Sequence, residues 1–343
     1  MKALRYYGPG DIRIEETRIP EINPGEVLVK VHSAGVCATD VKTYQRGHPK
    51  ILPGSVIGHE ISGTIIKINQ VDGWQVGDRV AVAPYAPCLE CPQCKRKMYT
   101  TCDRLMEDGL DPGGFSEYVR VSKRIVAQGL VRLPDDISLE LGALAEPLAC
   151  CIHGLEVLHL DQEDTLLIIG DGTMGLIQAL LAKQFGVKKC ILTGMIPDRL
   201  NKASKIADVV IDAKTQDLSA EIRKVAPTGA NKLMVAVGDI KVVESSMQYA
   251  AKGGTVNIYA GMPKGQMISI DPNLIHYNEV NLVGTFGFSP QHFHQAVKML
   301  GFLRKDLEKI ISGIVPMDQI STALTNMAEY RGIKYLVAFH AEK

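Results

Sequence analysis

The chain carries no excess charge of either sign: 38 Lys and Arg residues balance 38 Asp and Glu, and the pI is about 7.1. Binding to nucleic acid or an anionic membrane would call for a basic patch, so neither is expected as a partner, and small neutral molecules are. Long apolar runs are also missing, since none reaches the roughly 18 residues that a membrane helix needs. Met1-Lys2 leads directly into strand-like sequence rather than a charged and apolar leader, which makes the cytoplasm the expected location. There is no internal repeat, no low-complexity segment, and no long helical pattern before position 140 or so.

At 343 residues the chain exceeds what one core usually supports, so two domains are expected. A hydrophobic content of 46% with 22% charged residues is that of an ordinary globular protein. Residues 1–141 are broken by Gly and Pro into short alternating runs, among them Glu26 to Val31 and Ile61 to Ile68, which reads as compact β structure. From 142 to 286 strand and helix alternate, as a parallel sheet with helical crossovers requires. Six strands are predicted: Leu166 to Ile169, Lys189 to Thr193, Asp208 to Ile211, Leu233 to Val237, Thr255 to Tyr259 and Val280 to Thr285. Residues 287–343 hold one amphipathic helix, Pro290 to Arg304, and a tail ending in Tyr335-Leu336-Val337-Ala338-Phe339, expected to rejoin the first domain.

Gly170-Asp171-Gly172-Thr173-Met174-Gly175 is a GxGxxG placed directly after the first of those strands and opening the helix Leu176 to Phe185. Glycines there let the backbone turn tightly and approach a pyrophosphate seated on the helix N-terminus. The carboxylate expected about 20 residues further on, to take the adenosine ribose of NAD, is missing. Gly194 stands in its place, and Arg199 is near enough in sequence to attract a 2′-phosphate, so both NAD and NADP stay open as cofactor.

Eight cysteines in a chain of this length, four of them between positions 88 and 102, point to metal rather than disulfides. Cys88, Cys91, Cys94 and Cys102 can close a tetrahedral Zn²⁺ shell unaided, which describes a structural site. A zinc finger for nucleic acid would need two ligand pairs flanking a longer loop, so Lys95, Arg96 and Lys97 read as a solvated face. Gly58-His59-Glu60 with Cys37 supplies imidazole, carboxylate and thiolate, a set that leaves one position on zinc for water or substrate. Asp40 is a candidate partner for the second nitrogen of His59, and the Thr39 hydroxyl is a candidate proton acceptor. Glu146, in Glu146-Pro147-Leu148 at the expected domain junction, could bind zinc directly or through water, or could simply be a carboxylate at a helix start.

Taken in order, Cys37-Ala38-Thr39-Asp40, Gly58-His59-Glu60, the four-cysteine lobe, Gly113-Gly114-Phe115-Ser116-Glu117-Tyr118, Glu146-Pro147-Leu148 and the GxGxxG resemble the zinc-dependent medium-chain dehydrogenase/reductase family over essentially the whole length. The Glu-Pro-Leu triplet is similar to the sorbitol (polyol) and threonine dehydrogenase branch. The resemblance implies a GroES-like β-rich catalytic domain and a Rossmann domain with a doubly wound, six-stranded parallel sheet, with the active site in the cleft between them. It further implies a catalytic zinc on Cys37, His59 and Glu60, with Glu146 as a fourth or water-bridged ligand, and Thr39 as the proton relay. Two zinc ions per subunit, and a dimer or tetramer, follow from the same likeness. Three positions depart from relatives: Lys42 replaces a relay histidine, Gly194 replaces the NAD-selecting acid, and Gly284 to Phe288 lacks the substrate-binding arginine.

The expected activity is hydride transfer between a secondary alcohol, a polyol or vicinal diol, and nicotinamide. The alternatives are L-threonine 3-dehydrogenase, for which Arg104 and Arg120 are the candidate carboxylate partners, a general secondary alcohol dehydrogenase, and a nucleotide-binding protein without catalysis.

Overall fold

The computed structural model describes residues 1–339. They form two compact units, one made of Met1–Ala149 with the chain from Phe288 onward, the other of Cys150–Gly287.

The first unit is β-rich. Its central strand, Glu26–Gly35, sends Val27, Val29 and Val31 into a fully buried core with Ile61, Ile65, Val80, Val82 and Phe115. Each such side chain, wholly removed from water, contributes roughly 1.5–3 kcal/mol, so the alternating run is what fixes the strand's register. Around it lies a seven-stranded sheet in the order Ile311–Pro316, Lys334–Ala338, Glu26–Gly35, Glu60–Asn69, Arg79–Val82, Leu130–Arg132, with Tyr118–Val121 also paired to the central strand. In the last strand Leu336 pairs antiparallel with Gly35 and Ala338 with Ser33. A second sheet holds Asp11–Glu16, Lys2–Gly8 and Ser55–Val56. The long C-terminal helix runs further than the sequence pattern shows, over Pro290–Ile310, buried along Phe293, Val297, Leu300, Leu303 and Leu307.

Short helices within the β-rich stretch escape a search for long periodicity because their ends define them. Ala38–Arg46 starts on a capping box: the Cys37 sulfur accepts from the Thr39 N–H, and the Asp40 carboxylate accepts from the Cys37 N–H. The cap sets both side chains at the foot of one helical turn.

In the second unit six parallel strands lie in the order Val209–Asp212, Lys189–Gly194, Thr165–Ile169, Ala230–Val235, Ala250–Ile258, Asn281–Gly284. Leu166, Leu167 and Ile168 are wholly buried because helices cover both faces of the sheet, which explains why the strand is apolar throughout rather than alternating. The reversal of strand order beside Thr165–Ile169 is where such sheets bind ligands, and the glycine turn follows that strand at once.

Candidate metal and nucleotide sites

The hairpin formed by the central strand and its neighbour Glu60–Asn69 positions the first cluster. Gly35 and Glu60 are paired across the ladder, and a Cβ on Gly35 would lie 1.9 Å from Glu60 Oε2. The carboxylate therefore occupies the space above a bare backbone. Just ahead of it, Gly58 has φ +88° and packs against the Phe115 ring, where a Cβ would come within 2.7 Å. The Gly114 and Phe115 N–H groups donate to the carbonyls of Gly58 and Ile57, at 2.8 and 2.9 Å, so the Gly113-Gly114-Phe115 stretch clamps the turn that presents His59.

Cys37, His59 and Glu60 each bring one donor atom within 4.8 Å of the others. His59 Nδ1 stands 3.9 Å from the Asp40 carboxylate, and 27% of its side chain remains open, while Glu60 is buried. Sulfur, nitrogen and oxygen donors that close, with access on one side, fit a zinc ion that keeps an open position. Burial alone would lower the His59 pKa, but the Cys37 thiolate and the Asp40 and Glu146 carboxylates outweigh it and hold the pKa well above the ordinary range. The field of the site thus favours a cation. Glu146, on the helix Ala145–Glu156, is buried and belongs to this field, acting on both His59 and Lys334. Thr39 is exposed on the first turn of its helix, and Lys42 is exposed one turn on.

One member of the cluster belongs to no sequence motif. Lys334, from the returning tail, is 1% exposed, pairs with Glu60 and donates to the Val36 carbonyl at 2.9 Å. Burial opposes its charge, but Glu60 and Cys37 overcome this and raise its pKa. The available clue was a lysine heading an apolar strand.

The second cluster is the four-cysteine lobe. Its sulfurs all lie within 4.8 Å of one another, with Cys88 to Cys102 at 3.5 Å and Cys88 to Cys94 at 4.0 Å. Four thiolates around zinc at about 2.3 Å each would sit ~3.8 Å apart, so the spacing fits a closed tetrahedral shell. Backbone N–H groups of Glu90 and Cys91 point at the Cys88 sulfur, and those of Cys88 and Arg104 at the Cys102 sulfur. A backbone N–H donated from Cys94 brings the Cys91 thiol down to about 6, whereas burial pushes Cys94 up to about 12. All eight cysteines are free of disulfides. Arg104 is engaged with Glu107 at 2.7 Å, and Arg120 with Asp111 at 3.0 Å, so each candidate partner for a substrate carboxylate already has an acid beside it.

The glycine turn fits a dinucleotide. Gly170 has φ +130°, a Cβ on Gly175 would meet the Gly170 carbonyl at 1.9 Å, and Gly172 faces open space. A tight turn, a close helix–strand contact and an uncovered backbone are the three things a pyrophosphate seat requires. Gly172 caps the helix Thr173–Phe185, whose first residues are Thr173 and Met174. Gly194 ends the second strand, and Arg199, on the helix Pro197–Ala203, is only 8% exposed.

Known families and proteins match the chain over nearly its whole length. The family described as alcohol dehydrogenase GroES-like domain matches residues 23–135, and that described as zinc-binding dehydrogenase matches 173–301. A sorbitol dehydrogenase of Bacillus subtilis is 30% identical over 98% of this chain and 94% of its own. A D-arabitol-phosphate dehydrogenase of Enterococcus avium is 29% identical over 100% and 99%. Among solved structures, a Sinorhizobium meliloti protein assigned as a zinc-binding dehydrogenase, bound to NADP, is 28% identical with a TM-score of 0.90, covering 98% of this chain and 99% of that one. The chain therefore belongs to the zinc-type medium-chain dehydrogenases, in their polyol branch, and is a zinc-dependent NAD(P) alcohol oxidoreductase.

Proposed function

We propose that the protein interconverts a polyol or vicinal diol and its ketone, using Cys37, His59 and Glu60 to hold the catalytic zinc, with Glu146 as a direct or water-bridged fourth ligand. The observation that carries this reading is the sulfur, nitrogen and oxygen donor set gathered within 4.8 Å. Zinc at such a site supplies Lewis acidity, which lowers the pKa of an alcohol. The chain's own residues do the rest. Asp40, 3.9 Å from His59 Nδ1, orients the imidazole, and Lys334 holds the Glu60 carboxylate in place. The exposed Thr39 hydroxyl accepts the substrate proton and passes it to solvent, since Lys42 stands where relatives use histidine. The glycine turn Gly170, Gly172 and Gly175 with Thr173 and Met174 binds the dinucleotide whose nicotinamide takes the hydride.

Cys88, Cys91, Cys94 and Cys102 hold the second, structural zinc. A cytoplasmic homo-oligomer, dimer or tetramer, completes the proposal, its contact being the apolar run Leu282 to Phe288, which begins on the edge strand Asn281–Gly284 of the parallel sheet. The engagement of Arg104 and Arg120 with acids favours polyols over threonine, because an amino-acid carboxylate needs a cation to meet it. Rates of NAD(P)H formation with sorbitol, xylitol, 2,3-butanediol and threonine test the reading. A diol or polyol is expected to be oxidised fastest, and a clear preference for threonine would reject it.

A further inference from the structure

The second strand of the parallel sheet, Lys189–Gly194, ends in glycine where this fold usually carries the acid that receives the ribose hydroxyls. Gly194 has no room for a side chain. A Cβ there would lie 2.3 Å from both Cβ and Oδ2 of Asp171. The space belongs to a carboxylate from elsewhere in the chain, the second residue of the glycine turn. Asp171 is 8% exposed, and its Oδ2 accepts from the backbone N–H groups of Met195 and Ile196, each at 2.8 Å. A carboxylate in a phosphate-binding turn would repel the pyrophosphate if it faced it. Here it is turned away, onto the loop leaving the second strand.

We infer that Asp171 is the nucleotide-selecting acid of this chain, supplying from the first turn the negative charge that Gly194 lacks and so favouring NAD over NADP. Two effects act together. The carboxylate repels the dianionic 2′-phosphate, and it occupies the two N–H groups to which that phosphate would turn. A ribose hydroxyl, by contrast, can donate to a carboxylate. Arg199, the cation nearest in sequence, is buried on its helix and already engaged, so it offers little to an incoming phosphate. The inference rests on the reading that the glycine turn seats the pyrophosphate.

The test is direct binding of NADH and NADPH, followed by dihydronicotinamide fluorescence, to the zinc-loaded protein and to Asp171→Asn. The wild type is expected to bind NADH at least about ten-fold more tightly, the scale of one added like-charge contact near the surface. Asp171→Asn should narrow that gap by about ten-fold, chiefly by tightening NADPH. Asp171→Ser, which removes the charge with a smaller side chain that adds no clash at Gly194, should narrow it in the same sense, and it carries the test alone if the asparagine variant does not fold. Equal affinities in the wild type, or an unchanged ratio in variants that melt like the wild type, would overturn the inference. Failure of the wild type to bind either nucleotide would instead remove the reading of the glycine turn, and the inference with it.

Discussion

Replacing Lys334 by methionine would leave the Glu60 carboxylate 2% exposed and without the ammonium that now touches it. Methionine keeps the length of the side chain, so little cavity is created and the charge is what changes. In protein freed of metal at Cys37, His59 and Glu60, removing one partner of this buried ion pair costs about 3–5 kcal/mol, because the remaining charge is then left uncompensated. For a unit of roughly 200 residues each kcal/mol lowers Tm by about 2–4 °C. The expected fall is therefore about 6–20 °C in a thermal melt followed by circular dichroism. In the same metal-free protein, adding Glu60→Gln to Lys334→Met should recover much of that loss, since two neutral groups avoid the burial of a lone charge. The pH dependence has a definite sign. Lys334 has its folded pKa raised above the ordinary 10.5, so its contribution is complete below that pH and is lost as pH rises through the raised value. The Tm gap between wild type and Lys334→Met should stay constant between pH 7 and about 10 and close above it. A fall of less than about 2 °C at pH 7, or a double variant as unstable as the single one, would refute the reasoning.

Gly58→Ala should lower Tm and kcat/KM together, because an alanine at φ +88° is strained by about 1–2 kcal/mol and its methyl collides with the Phe115 ring that sets the His59 turn. Kinetics beside a melting curve will show both. Cys91→Ser should cost one equivalent of zinc per chain and several degrees of Tm, measured by elemental analysis and calorimetry, since a structural metal contributes folding energy.

Much of this molecule could be read from its sequence for physical reasons that differ by region. The parallel strands are buried on both faces, so runs such as Leu166 to Ile169 announce themselves without periodicity. The six strand positions follow from such runs, and the four cysteines are legible because their spacing alone can close a metal shell. The helix Ala38–Arg46 was harder to see. It is short and specified by its cap, and the cap residue, Cys37, also belongs to the first candidate metal cluster. Long-range partners were hardest of all. Lys334 reaches Glu60 across 274 positions, and although the apolar tail is expected to rejoin the first domain, no local pattern encodes the register that aims this side chain. Asp171 was in view within the glycine motif, yet its role depends on where a buried carboxylate turns. The sequence does hold one clue to it, because an acid in a phosphate-binding turn has to be directed elsewhere.

One zinc held by Cys37, His59 and Glu60 is proposed to carry out the alcohol oxidation, and a second zinc to serve only the fold. Zinc content measured alongside turnover, in wild type and in Cys37→Ser, tests this most directly. Two equivalents per chain in the wild type, one in Cys37→Ser, turnover lost and NAD(P)H binding kept are the expected results. A Cys37→Ser protein that retains two equivalents and near wild-type kcat would contradict it.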